Sequence, residues 1–267
     1  IILIKYEFIK MKSKKFFCKN NFSTQDIKKI RDYFEKKNFF NKSLDLLNIK
    51  NNEILHNLIF SKNLLKKTME ILGEDIYFIN EYVIQKNNRT FVKEKYHKDS
   101  GKVHQSDILS DDKNMYGKIG IILQDNIKGD GGGIDYLTPL SYDNFSDRFK
   151  FQNKLRSLYY FIQDKLCDTQ LYTKAGDFIY FSAMLSHRTS ITKKKRINLI
   201  PDKYIIYYQL TNFNTLKKVL KIVRSSKKDI EFVDLKNEIT VIELEDGLKV
   251  KVLNKKISTE VGNYMGL

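Results

Sequence analysis

Proline is nearly absent from the 267 residues: only Pro139 and Pro201 interrupt the chain, and both read as local breaks. Cysteine is as scarce. Cys18 and Cys167 stand far apart with no C-x-x-C spacing, which excludes a disulfide framework or a cysteine-based zinc site and fits a reducing, cytoplasmic compartment. No apolar run reaches the ~20 residues a membrane-spanning helix needs. The opening Ile-Ile-Leu-Ile is too short for a signal-peptide core and soon meets Lys5 and Glu7. Because the first residue is Ile and not Met, a fragment, a processed form or an imperfect gene boundary is expected. The nucleophile-elbow motif G-x-S-x-G is missing. Gly131 to Gly133 lack the G-K-[ST] continuation of a phosphate loop and read as a turn.

What is abundant is lysine. The formal charge of +16 raises the question of a polyanionic partner. Arginine, which supplies bidentate contacts to bases, is sparse, and lysine, asparagine and isoleucine all have AT-rich codons. The charge therefore reads as a solvated lysine-rich surface, and nucleic acid is not the expected partner. Hydrophobic residues at 42% supply a substantial core.

Helices are expected first and strands after them. Residues 3–10 alternate as a strand. Ser23 or Thr24 caps a helix to about Phe39, with Ile27, Ile30, Tyr33 and Phe34 on its apolar face. Asn51 or Asn52 caps a second helix running to Leu72, with Ile54, Leu58, Leu64, Leu65, Met69 and Leu72 buried and Gly73 as its stop. Strands are expected over 75–86, 117–125, 178–182 and 203–211, helices over 144–166 and 215–224, and an alternating tail from 230 to 253 with a turn at Asp246-Gly247. This order predicts a mainly β core with helical decoration. The expected division is a domain over 1–214 and a C-terminal extension over 215–267.

Histidine is rare enough to be informative: His56, His97, His104 and His187. His97-Lys98-Asp99 is an H-x-D motif. On a strand, residues i and i+2 share a face, so an imidazole and a carboxylate could hold one metal side by side. His187, after the strand F-I-Y-F-S, offers a third ligand. Two histidines and one carboxylate leave coordination positions open, as non-haem Fe(II) oxygenases require. His56, on an amphipathic helix, reads as structural. His104 and Asp107 read as a polar loop, with substrate contact by His104 as the alternative. Cys167 reads as an ordinary buried thiol.

The ordered set Y-H-K-D-S-G, a strand ending L-Q-D-N, G-G-G-I-D-Y-L-T-P-L and G-D-F-I-Y-F-S-A-M-L-S-H-R-T-S resembles the phytanoyl-CoA dioxygenase family over residues 22–211. The resemblance implies a double-stranded β-helix, a jelly-roll barrel. It implies Fe(II) on His97, Asp99 and His187, with 2-oxoglutarate as co-substrate oxidised by O₂ to succinate and CO₂ while a small-molecule or conjugated substrate is hydroxylated. Halogenases of this fold lose the H-x-D carboxylate, and Asp99 is retained. In the family an arginine about ten residues past the distal histidine holds the far carboxylate of 2-oxoglutarate. Arg196 has that type and spacing but sits in K-K-K-R, whereas Lys203 opens the next strand but is a lysine. Thr189 could add a hydroxyl, and Gln124 and Tyr116 are further pocket candidates, with a core or strand-surface role as the equal alternative for both. The family's Gly-Ser-His ending is replaced by L-T-P-L-S-Y at 137–142, so substrate class does not carry over. A lysine-rich rim favours an anionic substrate. The contrasting reading is a catalytically inactive basic jelly roll that binds an anionic polymer.

Overall fold

The computed structural model describes residues 15–18, 22–87, 96–97, 99, 116–127, 129–136, 169–183, 185, 187–192, 202–224, 232–244 and 247–265. The expected strand over 3–10, the helix over 144–166, the segment 137–142 and the residues Cys167, His104, Asp107 and Arg196 lie outside them.

Helices lead. Ser23 caps α1 (Thr24–Lys37), its hydroxyl accepting from the Asp26 amide. Ile27, Ile30 and Phe34 are buried, but Tyr33 is exposed. The first three recur at i, i+3 and i+7, and Tyr33 falls to the edge of that stripe. The single helix expected to run to Leu72 is two, α2 (Glu53–Ile59) and α3 (Lys62–Leu72). Ser61 starts the second by accepting from the Leu64 amide, so the chain breaks at Phe60 and the apolar face is reset. Ile54, expected in the buried stripe, is consequently exposed, while Leu58, Leu64, Leu65 and Leu72 are buried.

Among the described residues there are eleven strands: β1 (Lys15–Cys18), β2 (Ser43–Leu44), β3 (Ile76–Asn87), β4 (Tyr116–Ile122), β5 (Ile134–Tyr136), β6 (Thr169–Leu171), β7 (Phe178–Ser182), β8 (His187–Thr189), β9 (Lys203–Asn212), β10 (Ile239–Glu243) and β11 (Lys249–Leu253). The larger sheet has the order β1-β7-β4-β9-β3-β11-β10, with β2 also on β3, and the smaller has β6-β5-β8. Pairing is antiparallel except for β11 on β3. The mainly β architecture with helical decoration is thus present. The pairings among the described residues do not close a ring.

The near-continuous apolar run of β7 has a physical reason: both faces are covered. Phe178 and Tyr180 pack with Ile119, Ile121, Tyr208 and the helices α1 to α3. Ile179 and Phe181 point the other way, with Ile122 and Ile205, against Ile134 and Leu185 of the smaller sheet region. The tail builds onto the larger sheet. Helix α4 (Phe213–Val223) and an unanticipated α5 (Lys255–Met265) bury Leu216, Val219, Leu220, Ile257 and Val261 against Tyr77, Ile79 and Tyr116. Among the described residues no helix is long and apolar enough to cross a membrane.

The triple-glycine turn locks the smaller sheet to the segment leaving β8. The Gly132 amide donates to the Ser190 carbonyl, and the Ser190 amide donates to the Gly133 carbonyl. Gly131 has φ +72°, and a Cβ there would lie 2.5 Å from the Thr192 backbone nitrogen. Gly131→Ala is therefore expected to destabilise the protein by more than about 1 kcal/mol, read as a lower urea midpoint at unchanged slope.

Candidate metal centre

The centre is assembled by backbone pairing between distant segments. His97 and His187 form an antiparallel bridge, each amide donating to the other's carbonyl at 2.9 Å. On its far side β8 pairs with β5, setting His187 opposite Tyr136. Asp99 lies in a bend and not in a continuous strand. The expected strand is thus not seen at Asp99, whose carboxylate nevertheless lies beside the imidazoles. Its Oδ1 is 3.7 Å from His97 Nε2, and its Oδ2 is 3.6 Å from His187 Nε2. One ligand atom from each of the three residues falls within 4.8 Å of the others, a grouping that could hold a metal ion.

The surroundings set the chemical state of these groups. His187 is buried, its ring 4.8 Å from that of Phe181. Its Nδ1 lies 3.0 Å from the Leu185 carbonyl oxygen. A carbonyl can only accept, so Nδ1 carries the proton and Nε2 presents a lone pair towards Asp99. Burial pushes the His187 imidazolium below its ordinary pKa, outweighing the pull of Asp99, so the ring is neutral at pH 7. For Asp99, burial acts to raise the pKa, but the ammonium of Lys118 and then the two imidazoles outweigh it. The net shift is downward and the carboxylate stays charged. The set is thus two imidazoles and one anion, with His97 the exposed member.

Two neighbours escaped the sequence reading. Lys118, on β4, donates to Asp99 Oδ2 at 2.7 Å, and its ammonium lies 5.6 Å from the centroid of the Tyr207 ring. Its signal was a charge inside G-K-I-G-I-I, a strand otherwise apolar on both faces. The second is a buried network behind the bridge. Asp135 on β5 accepts from Arg188 Nε at 3.2 Å and from the Ser190 hydroxyl, and the guanidinium lies 4.2 Å from the centroid of the Tyr96 ring. The residue before His97 is thereby clamped to the residue after His187.

The remaining candidates scatter. Thr189, half-buried on β8, pairs with Ile134. Lys203 is buried at the start of β9, opposite Asn87. Gln124 accepts from Arg31 of α1 at 2.7 Å, so its amide faces the helical layer and not the histidines. Tyr116 is buried beneath α4 and α5. His56 is on α2 with its ring 5.2 Å from Phe60.

No protein-family model matches the chain, and no curated protein sequence does. Solved structures share its fold. Iron-bound HygX from Streptomyces hygroscopicus superposes with a TM-score of 0.55 at 12% identity, over 78% of this chain and 86% of that one. HygX with nickel, 2-oxoglutarate and hygromycin B bound gives 0.52 at 11%, over 78% and 87%. SnoK, a non-heme alpha-ketoglutarate-dependent carbocyclase from nogalamycin biosynthesis, gives 0.51 at 10%, over 77% and 83%.

Proposed function

We propose that the chain is an Fe(II)- and 2-oxoglutarate-dependent dioxygenase that hydroxylates a small-molecule or conjugated substrate, with His97, Asp99 and His187 as the iron ligands. The observation that carries this reading is the convergence of two imidazoles and one carboxylate within 4.8 Å. The donor set fits Fe(II): neutral Nε2 atoms and a charged oxygen, with positions left over for a chelating keto acid and O₂. Solved relatives that hold iron, or nickel with 2-oxoglutarate, support the same pair here.

When bound, iron would activate O₂, with the keto acid giving two of the four electrons that reduce it and the substrate the other two. The chain's own residues do the positioning. The Leu185 carbonyl fixes the His187 ring, Lys118 keeps Asp99 ionised, and Phe181 walls off the buried side of the ring. Arg196 or Lys203, with Thr189 as the other residue proposed around the co-substrate, holds the far carboxylate of 2-oxoglutarate. Retention of Asp99 favours hydroxylation over halogenation. The alternation of the chain between the larger sheet (β3, β4, β7, β9) and the smaller (β5, β6, β8) supports a double-stranded β-helix. The catalytic unit in this reading is residues 1–214, and 215–267 is an extension of it.

Anaerobic titration with Fe(II) and 2-oxoglutarate tests this. A weak visible charge-transfer band that needs both components, and disappears in His97→Ala, is the expected result. Iron that fails to bind the wild-type protein would replace the oxygenase with the basic jelly roll that binds an anionic polymer.

A further inference from the structure

Among the polar side chains on the face of the larger sheet that looks towards the histidines are Lys118, Tyr116 and Gln209, on adjacent strands. Lys118 on β4 is in register with Gln209 on β9 and with Phe181 on β7, so the three share that face. Tyr116 is two residues before Lys118 and therefore on the same face. Two of these groups have unmet demands. The Tyr116 hydroxyl and the Gln209 Oε1 are buried with no hydrogen-bond partner among the described residues. Leaving such a group unpaired costs stability, and in native proteins it commonly marks a place completed by something else. The third group is a cation, with 23% of its side chain exposed and held against Asp99.

Charge points to what completes the place. In the proposed oxygenase a divalent ion would sit beside one carboxylate and one ammonium, with two neutral imidazoles. That centre is doubly positive in a largely buried setting, and a dianion, or two monoanions, neutralises it. A carboxylate is suited to the three groups. One oxygen can take the ammonium of Lys118 and the other the hydroxyl of Tyr116, and the Gln209 amide, turned so that its NH₂ faces the ligand, can donate to either. Where the far carboxylate of 2-oxoglutarate is the one bound here, Lys118 takes the place of Arg196 or Lys203 as its anchor.

We propose that Lys118, Tyr116 and Gln209 form a carboxylate-binding subsite on the sheet wall beside the His–Asp cluster. The proposal rests on the oxygenase reading for its charge argument. The carboxylate has two possible sources: the far end of the dicarboxylic 2-oxo acid, or a carboxylate on the substrate itself.

The test compares wild type, Lys118→Met, Lys118→Arg and Gln209→Leu in two arms. In the first, the anaerobic Fe(II) charge-transfer band is titrated with 2-oxoglutarate and with 2-oxobutyrate, which lacks the far carboxylate. If the co-substrate fills the subsite, wild type prefers 2-oxoglutarate by about tenfold or more, Lys118→Met loses the preference and Lys118→Arg restores part of it. In the second arm, calorimetry follows glutarate binding to the protein held with Fe(II) and saturating 2-oxobutyrate, and to the protein without additions. Glutarate that binds alongside a 2-oxo acid, and weakens by a similar factor in Lys118→Met and measurably in Gln209→Leu, identifies the substrate as the source. A band and a glutarate affinity that are both indifferent to Lys118 overturn the subsite and leave the oxygenase standing. Lys118-dependent glutarate binding without any band in wild type does the reverse. Absence of both in wild type overturns both. Circular dichroism and the thermal midpoint of each variant separate loss of binding from loss of fold.

Discussion

His187→Ala is expected to abolish Fe(II)-dependent turnover and to remove high-affinity cation binding, with the folded state retained. The two effects separate because the residue does two unequal jobs. Its backbone makes the bridge to His97, and alanine keeps both of those hydrogen bonds. Its ring is the buried neutral donor of the set, held by the Leu185 carbonyl and covered by Phe181. Truncation leaves a void lined by Phe181 and an unused carbonyl, a cost of about 1–3 kcal/mol. Loss of one of three protein ligands is far larger in its effect on the metal, because His97 and Asp99 alone are a weak chelate. Cation binding followed by calorimetry, beside a thermal melt, checks both halves. Unchanged turnover would remove His187 from the ligand set.

The largest effect on stability is expected from Asp135→Ala. Asp135 and Arg188 are both buried, with 6% and 7% of their side chains exposed. Desolvating two such ions is costly, and their pairing roughly offsets it. Removing the carboxylate alone leaves the guanidinium in the interior without its anion, at a cost of about 3–5 kcal/mol. The Ser190 hydroxyl loses its acceptor at the same time. The pair Asp135→Leu with Arg188→Met is expected to recover most of that loss, since neither charge is then buried. Urea unfolding of the two single variants and the double one measures the coupling. Additive losses would mean that the two side chains stabilise the protein independently.

These two expectations also show where sequence and structure part. The triad residues were legible because histidine is scarce and the H-x-D spacing is local. The strands were legible where both faces are buried, as in F-I-Y-F-S and K-Y-I-I-Y-Y-Q-L, since apolar runs of that length between turns have few other readings. Asp135–Arg188 was not legible, because each residue alone looks like a surface charge and only the register of β5 on β8 makes them partners. Lys118 was hidden by the same limit: its meaning depends on a carboxylate 19 positions earlier. The split at Ser61 was legible in principle, since a serine followed by a helix-forming run is a start signal, but the continuous stripe of leucines masked it. The pairing of Gln124 with Arg31 was not legible, because the end of a strand does not reveal which layer its side chain will face. The helix of the tail, α5, follows a hairpin whose alternation drew the reading towards strands.

Strand β3 slips register against β9 between Phe78 and Tyr82. At that irregularity the Asn80 amide is given a partner from far along the chain, the Ser258 hydroxyl of α5, at 2.8 Å. The adjoining stretch of β3 takes β11 as its parallel neighbour. This strand thus waits for a residue 178 positions further along the chain before its backbone is satisfied. Closing loops of this length is slow, and until it happens an apolar edge stands open. On a ribosome the nascent sheet would remain incomplete until β11 and Ser258 had emerged, so this segment acts as a clasp of folding as well as a part of the finished wall.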